Sequence, residues 1–327
     1  MLPELKGRGL FVFSDPGGAK PLLSLIKLNS KIEEYLVISD RIYDFYSDFG
    51  IPVHKYRPNE EASLISRFNP DYIFTATSYT SKIEMKFIYA AKNKKIPTYS
   101  FIDHYTSYLE RFYFNGVTEF PDFICVTDER AKGIGLKLNF LSSIIVTGNY
   151  YHDFLLQWKP SINKTDFFIA SGIPLNHKLI VFAPDPLTNA GGAEKFGFDE
   201  LSVYCDLIKA FKKLSNINFT FVIKLHPNQK SKNIVVATEA SGLDNIIYGD
   251  TFHTNTLLYY SDLIIGMFSA ILMEGELFHR NIIRYLKGLR EDDPLEDLNI
   301  GVVAKDEQTL IQQIRSLLNK ANYAEGN

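Results

Sequence analysis

The chain has 327 residues, 46% of them hydrophobic and 22% charged, with 35 Lys and Arg against 38 Asp and Glu. That length suits two domains of ordinary size, and the composition excludes a disordered chain. A net charge of −3 leaves no basic footprint for nucleic acid, so none is expected as a partner.

The two cysteines, Cys125 and Cys205, stand in apolar contexts. They read as buried thiols of a reducing compartment, since a disulfide framework or a Cys-ligated zinc site needs more of them at closer spacing. The start of the sequence shows no signal-peptide pattern, and its apolar runs fall short of the roughly 18 residues of a membrane span. A cytoplasmic protein is expected, with peripheral attachment at the inner face of the membrane left open.

In chain order, Gly9–Ser14, Tyr35–Ser39, Tyr72–Thr75, Thr98–Ile102, Phe123–Thr127 and Ile144–Thr147 read as buried strands, rich in Val, Ile, Phe and Tyr and bounded by Pro, Asp or Gly. Between them Ala19–Leu28, Glu60–Phe68, Ser81–Lys92 and Asp128–Leu138 carry helical periodicity. The alternation predicts parallel βαβ units. A break at Trp158–Lys164, with Pro160, Ser161 and Asn163, precedes a second set of strands: Leu179–Pro184, Phe219–Lys224, Asn245–Tyr248, Leu263–Ile265 and Ile282–Tyr285. Helices are expected at Asp199–Leu214, His253–Tyr260 and Ala270–Phe278, and an amphipathic helix at Glu307–Ala321 closes the chain.

Four places can hold chemistry. After the first strand, Ser14-Asp15-Pro16-Gly17-Gly18 lets backbone approach a ligand and aims helix amides at it, although the segment also fits a tight turn capped by Asp15. It matches neither the dinucleotide fingerprint nor the P-loop. After the strand ending at Ile102, Asp103 and His104 supply a carboxylate beside an imidazole, suited to taking a proton from a hydroxyl, with Glu110 and Arg111 close behind. In Lys224-Leu225-His226-Pro227, the proline ends the strand and leaves His226 at its tip, able to donate to a phosphate oxygen or, as a catalytic group, to protonate a departing one. In Gly266-Met267-Phe268-Ser269-Ala270, a strand turns into a helix whose amides and Ser269 hydroxyl fit an anion, with Glu274 a turn farther on; Ser269 also fits a plain N-cap. The run Glu291-Asp292-Asp293 reads as a solvated turn, and no cluster has metal-ligand spacing, so neither a metal nor a cofactor is expected.

These motifs resemble a known superfamily. Val146-Thr147-Gly148-Asn149 with Asp153, and Leu257 through Glu274, look like segments of UDP-N-acetylglucosamine 2-epimerases and related GT-B proteins. Lys224-Leu225-His226-Pro227 followed by Ser269 is similar to the HP and S motifs of bacterial sialyltransferases and of the glycerophosphate polymerases of wall teichoic acid synthesis. The resemblance departs at Asp103–Tyr108, where an epimerase would carry His-Val-Glu-Ala-Gly-Leu-Arg. It departs again at Val117–Asp122, where Pro-Glu-Glu-x-Asn-Arg is missing, and the acidic triplet of sialyltransferases has no counterpart.

The resemblance implies an α/β protein of two Rossmann-like domains facing across a cleft. An acceptor-side domain would span 1–148 and a nucleotide-sugar-binding domain 149–306, with the closing helix 307–321 returning to the first. It implies a glycosyltransferase moving a sugar from a CMP- or UDP-type donor to a glycan or lipid-linked glycan of surface polysaccharide assembly. An epimerase or hydrolase on the same scaffold, or a binding module without turnover, are the rivals. Asp103 with His104, or else Asp15, would be the base. Gly17, Gly18, Lys224, His226, Pro227, Ser269, Ala270 and Glu274 would hold the donor.

Overall fold

Short runs of β-branched and aromatic residues become parallel strands with both faces covered, as unbroken apolar runs require. In the computed structural model, which describes residues 5–78, 81–103, 105, 107–138, 141–214, 217–225 and 232–319, two units form, Met1–Gln157 and Trp158–Asn327. The first holds β1 (Gly7–Phe13), β2 (Ile32–Ser39), β3 (His54–Lys55), β4 (Tyr72–Thr75), β5 (Thr98–Ile102), a hairpin of β6 (Tyr113–Phe114) and β7 (Val117–Thr118), then β8 (Phe123–Val126) and β9 (Ser143–Val146). Its parallel sheet runs β3-β2-β1-β4-β5-β8-β9. Leu10 and Val12 pack with Leu64, Ile65 and Phe87 of the helices Glu61–Phe68 and Ile83–Lys92. Phe11 and Phe13 alternate with them and meet Phe74 and Tyr46.

The second unit holds β10 (Lys178–Ala183), β11 (Phe219–Ile223), β12 (Ile246–Tyr248), β13 (Leu263–Gly266), β14 (Asn281–Tyr285) and β15 (Val302–Ala304), in the parallel order β12-β11-β10-β13-β14-β15. Each sheet therefore reverses its strand order once, between β1 and β4 and between β10 and β13. Open α/β sheets bind ligands at the carboxyl ends of the strands flanking such a reversal. The expected α/β class with two parallel, helix-flanked sheets holds.

Two expectations about domain limits change. Helix Tyr150–Leu155 belongs with the first unit, because Phe154 packs on Phe49 at 4.7 Å and Tyr150 on Phe101 at 5.7 Å. The closing helix, Glu307–Asn319, falls in the second unit. Its Leu310, Ile314 and Leu318 lie in the apolar cluster of Phe211, Tyr285 and Ala304, so its one apolar stripe is used up inside the second unit. Residues 320–327 lie outside the described residues.

Candidate functional site

The reversal in the first sheet places Asp15, after β1, beside Ser78, after β4. Asp15 stands at the N-cap of helix Pro16–Leu28, but its side chain makes no capping bond. Its Oδ1 faces Arg41 Nη1 at 2.6 Å and its Oδ2 accepts from the Ser78 hydroxyl at 2.6 Å. Next to it, Asp103 at the end of β5 is held by Arg111, whose Nη1 lies 3.1 Å from Oδ1. The same guanidinium donates to the Thr77 carbonyl and hydroxyl, each at 3.0 Å, and is only 10% exposed. Arg111 thereby acquires a role: it fixes the rotamer of Asp103.

The glycine pair makes room at the same edge. A Cβ on Gly17 would lie 2.1 Å from Asp103 Oδ2, and one on Gly18 2.3 Å from the Ala76 Cβ. Close approach is needed, as glycines there suggest, but the approaching groups are the Asp103 carboxylate and the end of β4. His104 lies outside the described residues.

Two further carboxyls, which the sequence reading missed, sit at this edge. Asp40 ends β2 and accepts from the Ser81 hydroxyl at 2.7 Å. Glu84, in the first turn of helix Ile83–Lys92, is buried. Burial, and then the negative charges of Asp15 and Asp40, hold its carboxyl well above the usual carboxylate range, against the pull of nearby backbone amides. Only the chain topology brings these residues to Asp15.

At the reversal of the second sheet, Asp185 follows β10 and accepts from the Phe268 amide at 2.8 Å. Burial pushes its carboxyl up to about 6, while the amides of Phe268 and Ser269 pull the other way and Glu200 adds repulsion. Sequence reasoning passed over Asp185, although an acid set between Pro184 and Pro186 at a strand end was the available signal. Ser269 is the N-cap of helix Ala270–Leu277 without a side-chain capping bond, and Glu274 is buried on that helix. Lys224 donates to the carbonyls of Gly249 at 3.0 Å and Phe252 at 3.5 Å, so it braces the turn after β12. His226 and Pro227 lie outside the described residues.

The acidic run is not simply a solvated turn. Asp293 forms a two-pronged ion pair with Arg284, which is 3% exposed at the end of β14. A guanidinium buried so deeply requires a carboxylate partner. Among the described residues no group of three or more His, Cys, Asp or Glu is placed to hold a metal, and no helix is long and apolar enough to cross a membrane.

No protein-family model and no curated protein matches the sequence. Solved structures do match in fold. The chain is similar to a putative UDP-N-acetylglucosamine 2-epimerase from Listeria monocytogenes, with a TM-score of 0.69 and 15% identity over 97% of this chain and 89% of that one. It is similar to the UDP-GlcNAc 2-epimerase of Neisseria meningitidis bound to UDP-GlcNAc, with a TM-score of 0.65 and 18% identity over 96% and 92%. A glycosyltransferase from Rickettsia africae gives a TM-score of 0.59 and 15% identity over 95% and 88%. At such identities the likeness is one of fold.

Proposed function

We propose that this chain processes a nucleotide-activated sugar, and within that class that it is a metal-independent glycosyltransferase. The observation that carries the reading is Asp103, a carboxylate oriented by Arg111 and seated against Gly17 at the carboxyl edge of the first sheet. A proton acceptor must be held in one direction to act on a hydroxyl, and this one is held from two sides. In the proposed step the acceptor hydroxyl attacks the anomeric carbon as its proton passes to Asp103. The bond from that carbon to the phosphate oxygen breaks, and His226 donates to the oxygen that leaves. Ser269, Ala270 and the first amides of their helix would contact the phosphate, with His226 and Pro227 beside it and Glu274 a turn away. Gly17 leaves room for the Asp103 carboxylate and Gly18 for Ala76, and their backbone would also lie open to the donor. Asp15, tied to Arg41 and Ser78, is the alternative base.

A second reading, an epimerase or hydrolase, gains from the same edge. The missing epimerase segments removed that chemistry's acids from the sequence, yet Asp15, Asp40, Glu84 and Asp103 come together there, and the structural neighbours include several 2-epimerases. Acceptor dependence separates the readings. Release of nucleotide in step with glycosylation of an added hydroxyl acceptor supports transfer. Conversion of the donor to an epimer, or its hydrolysis at a rate indifferent to acceptor, supports the second reading. Binding without turnover leaves a binding module.

A further inference from the structure

Glu84 has no part in the steps above, yet its surroundings are the most unusual in the first unit. It is 3% exposed, and among the described residues neither carboxyl oxygen has a hydrogen-bond partner of normal geometry, although the amides of Ser14 and Glu84 itself point toward it. The Ser14 hydroxyl, at the end of β1, and Asp40 Oδ1, at the end of β2, are buried and likewise without a partner among the described residues. Buried polar atoms are nearly always satisfied, and a cluster of exceptions calls for an explanation. The exceptions here belong to three elements that meet around the loop bearing Asp15.

The charged groups facing Glu84 define its state. Asp15 and Asp40 lie close enough to raise the cost of a third negative charge. The cations nearby are engaged: Arg41 is paired with Asp15, and Lys82 donates to the Glu110 carbonyl at 2.8 Å. Tyr46, beneath Arg41, spans the Ser39 hydroxyl at 3.2 Å and the Arg41 carbonyl at 3.1 Å, and burial pushes its phenol up to about 12, so it adds no charge at neutral pH. An ionised Glu84 would add a buried carboxylate beside Asp15 and Asp40, with the charge of Lys82 nearby but no ion pair of its own among the described residues. A protonated Glu84 brings a hydroxyl donor to a place where acceptors lack one.

We propose that Glu84 is a positioning residue of the first-unit site, a buried hydrogen-bond donor to the strand-end carboxylates that fixes the loops carrying Asp15 and Asp40. Its importance for turnover rests on the reading that this edge does the proton chemistry; its role as a donor does not. The direction of its shift agrees, since burial favours the neutral acid.

The test compares wild type with Glu84→Gln, which keeps shape and a donor but cannot ionise, and Glu84→Ala, which keeps neither. Infrared spectra should show a protonated-carboxyl band at neutral pH that Glu84→Gln removes. A carboxyl raised in the folded state favours folding at acid pH and loses that advantage as pH rises from its unfolded value toward its folded one. Melting curves of wild type and Glu84→Gln should therefore coincide near pH 4 and separate by about 3 °C or more at alkaline pH, the variant being higher. Glu84→Ala should melt lower at every pH; if it does not fold, Glu84→Gln carries the comparison. In turnover, the alkaline limb of the pH profile should move up in Glu84→Gln relative to that variant's own neutral rate. No difference band, together with a Glu84→Gln melting profile parallel to wild type at all pH, overturns the proposal. The infrared and melting measurements need no substrate. A protein that gives both expected results but consumes no nucleotide sugar would lose its proposed function and keep Glu84 as the organiser of these loops.

Discussion

The two sheets reverse their strand order at equivalent points, yet the carboxylates at the two reversals have different partners. In the first unit Asp15 and Asp103 face side chains, Arg41 and Ser78 for one and Arg111 and Thr77 in a chain for the other. In the second, Asp185 faces the backbone, the amide of Phe268 ahead of a helix. Side-chain partners can release and recapture a carboxylate as a substrate arrives, and they can tune its proton. A backbone amide offers a fixed dipole, which suits charge held in place. One topology thus presents two edges of different character, and on the proposed reading the first would handle a proton and the second an anion. The fold sets where chemistry can occur, and the residues at the strand tips decide which kind.

The largest expected effect tests the first edge. Asp103→Asn keeps the shape beside Arg111 and removes the basicity, so turnover should fall by about 10²–10⁴ while nucleotide affinity, measured by calorimetry, changes little. If Asp15→Asn abolishes turnover and Asp103→Asn does not, the two carboxylates exchange roles within the same edge. Asp293→Ala should be the costliest change for stability in the second unit. It strands the Arg284 guanidinium, and losing one partner of a buried pair costs about 3–5 kcal/mol, which a denaturant titration would show. A shift under about 1 kcal/mol, the worth of an exposed pair, would mean that Arg284 reaches solvent.

Gly17→Ala sharpens the account of the first edge without touching a polar group. The new methyl meets Asp103 Oδ2, so the carboxylate must move, and displacing a reacting group by about 1 Å can cost about 10²-fold in rate. Turnover should drop far more than melting temperature. An unchanged rate would separate Asp103 from the chemistry. The smallest effect belongs to the second edge. Burial raises Asp185 to about 6, so the folded state binds a proton there that the unfolded state has released. Stability at this site is therefore greatest at acid pH and declines as pH climbs from about 4 to about 6. Asp185→Asn keeps an acceptor for Phe268 and lacks the charge, and should exceed wild type at pH 7 by roughly 2–3 kcal/mol. It should converge with wild type near pH 4. A variant less stable at both pH values would show that the charge on Asp185 is favourable where it stands.

Much of this architecture was legible from apolar runs alone. β1, β4, β5, β10, β11 and β13 lie where Val, Ile and Phe cluster between Pro, Asp and Gly, because strands covered on both faces need such runs. β3 and β15, of two and three residues, are too short to carry a pattern. The hairpin of β6 and β7 had a signal that was passed over: Asn115-Gly116, with φ of 50° and 82°, is the pair a tight two-residue turn favours. The closing helix shows another limit, since its stripe of Leu310, Ile314 and Leu318 announced burial without naming the surface that buries it.

At the site, several residues directly after strands were found, though Asp40 and Asp185 were missed, and the buried acid that topology brings in was not found. Asp15, Asp103 and Ser269 follow strand ends that the sequence marks. Glu84 reads as an ordinary acid in the first turn of a helix, a place where acids are usually exposed and favourable. Its burial depends on β2 pairing beside β1, which no local pattern states. Arg284 carried a usable hint, a lone cation in the apolar strand Asn281–Tyr285, and such a residue demands a carboxylate like Asp293.

The central claim, that the first edge moves a proton while a nucleotide sugar is consumed, is tested most directly by phosphorus NMR. Wild type and Asp103→Asn would be incubated with UDP- and CMP-sugars, each with and without a glycan hydroxyl acceptor. The account predicts that wild type releases nucleotide from at least one donor, faster when acceptor is present, and that Asp103→Asn leaves that donor's phosphorus signals in place. Donor signals that persist unchanged with wild type, or that disappear equally fast with Asp103→Asn, would contradict it.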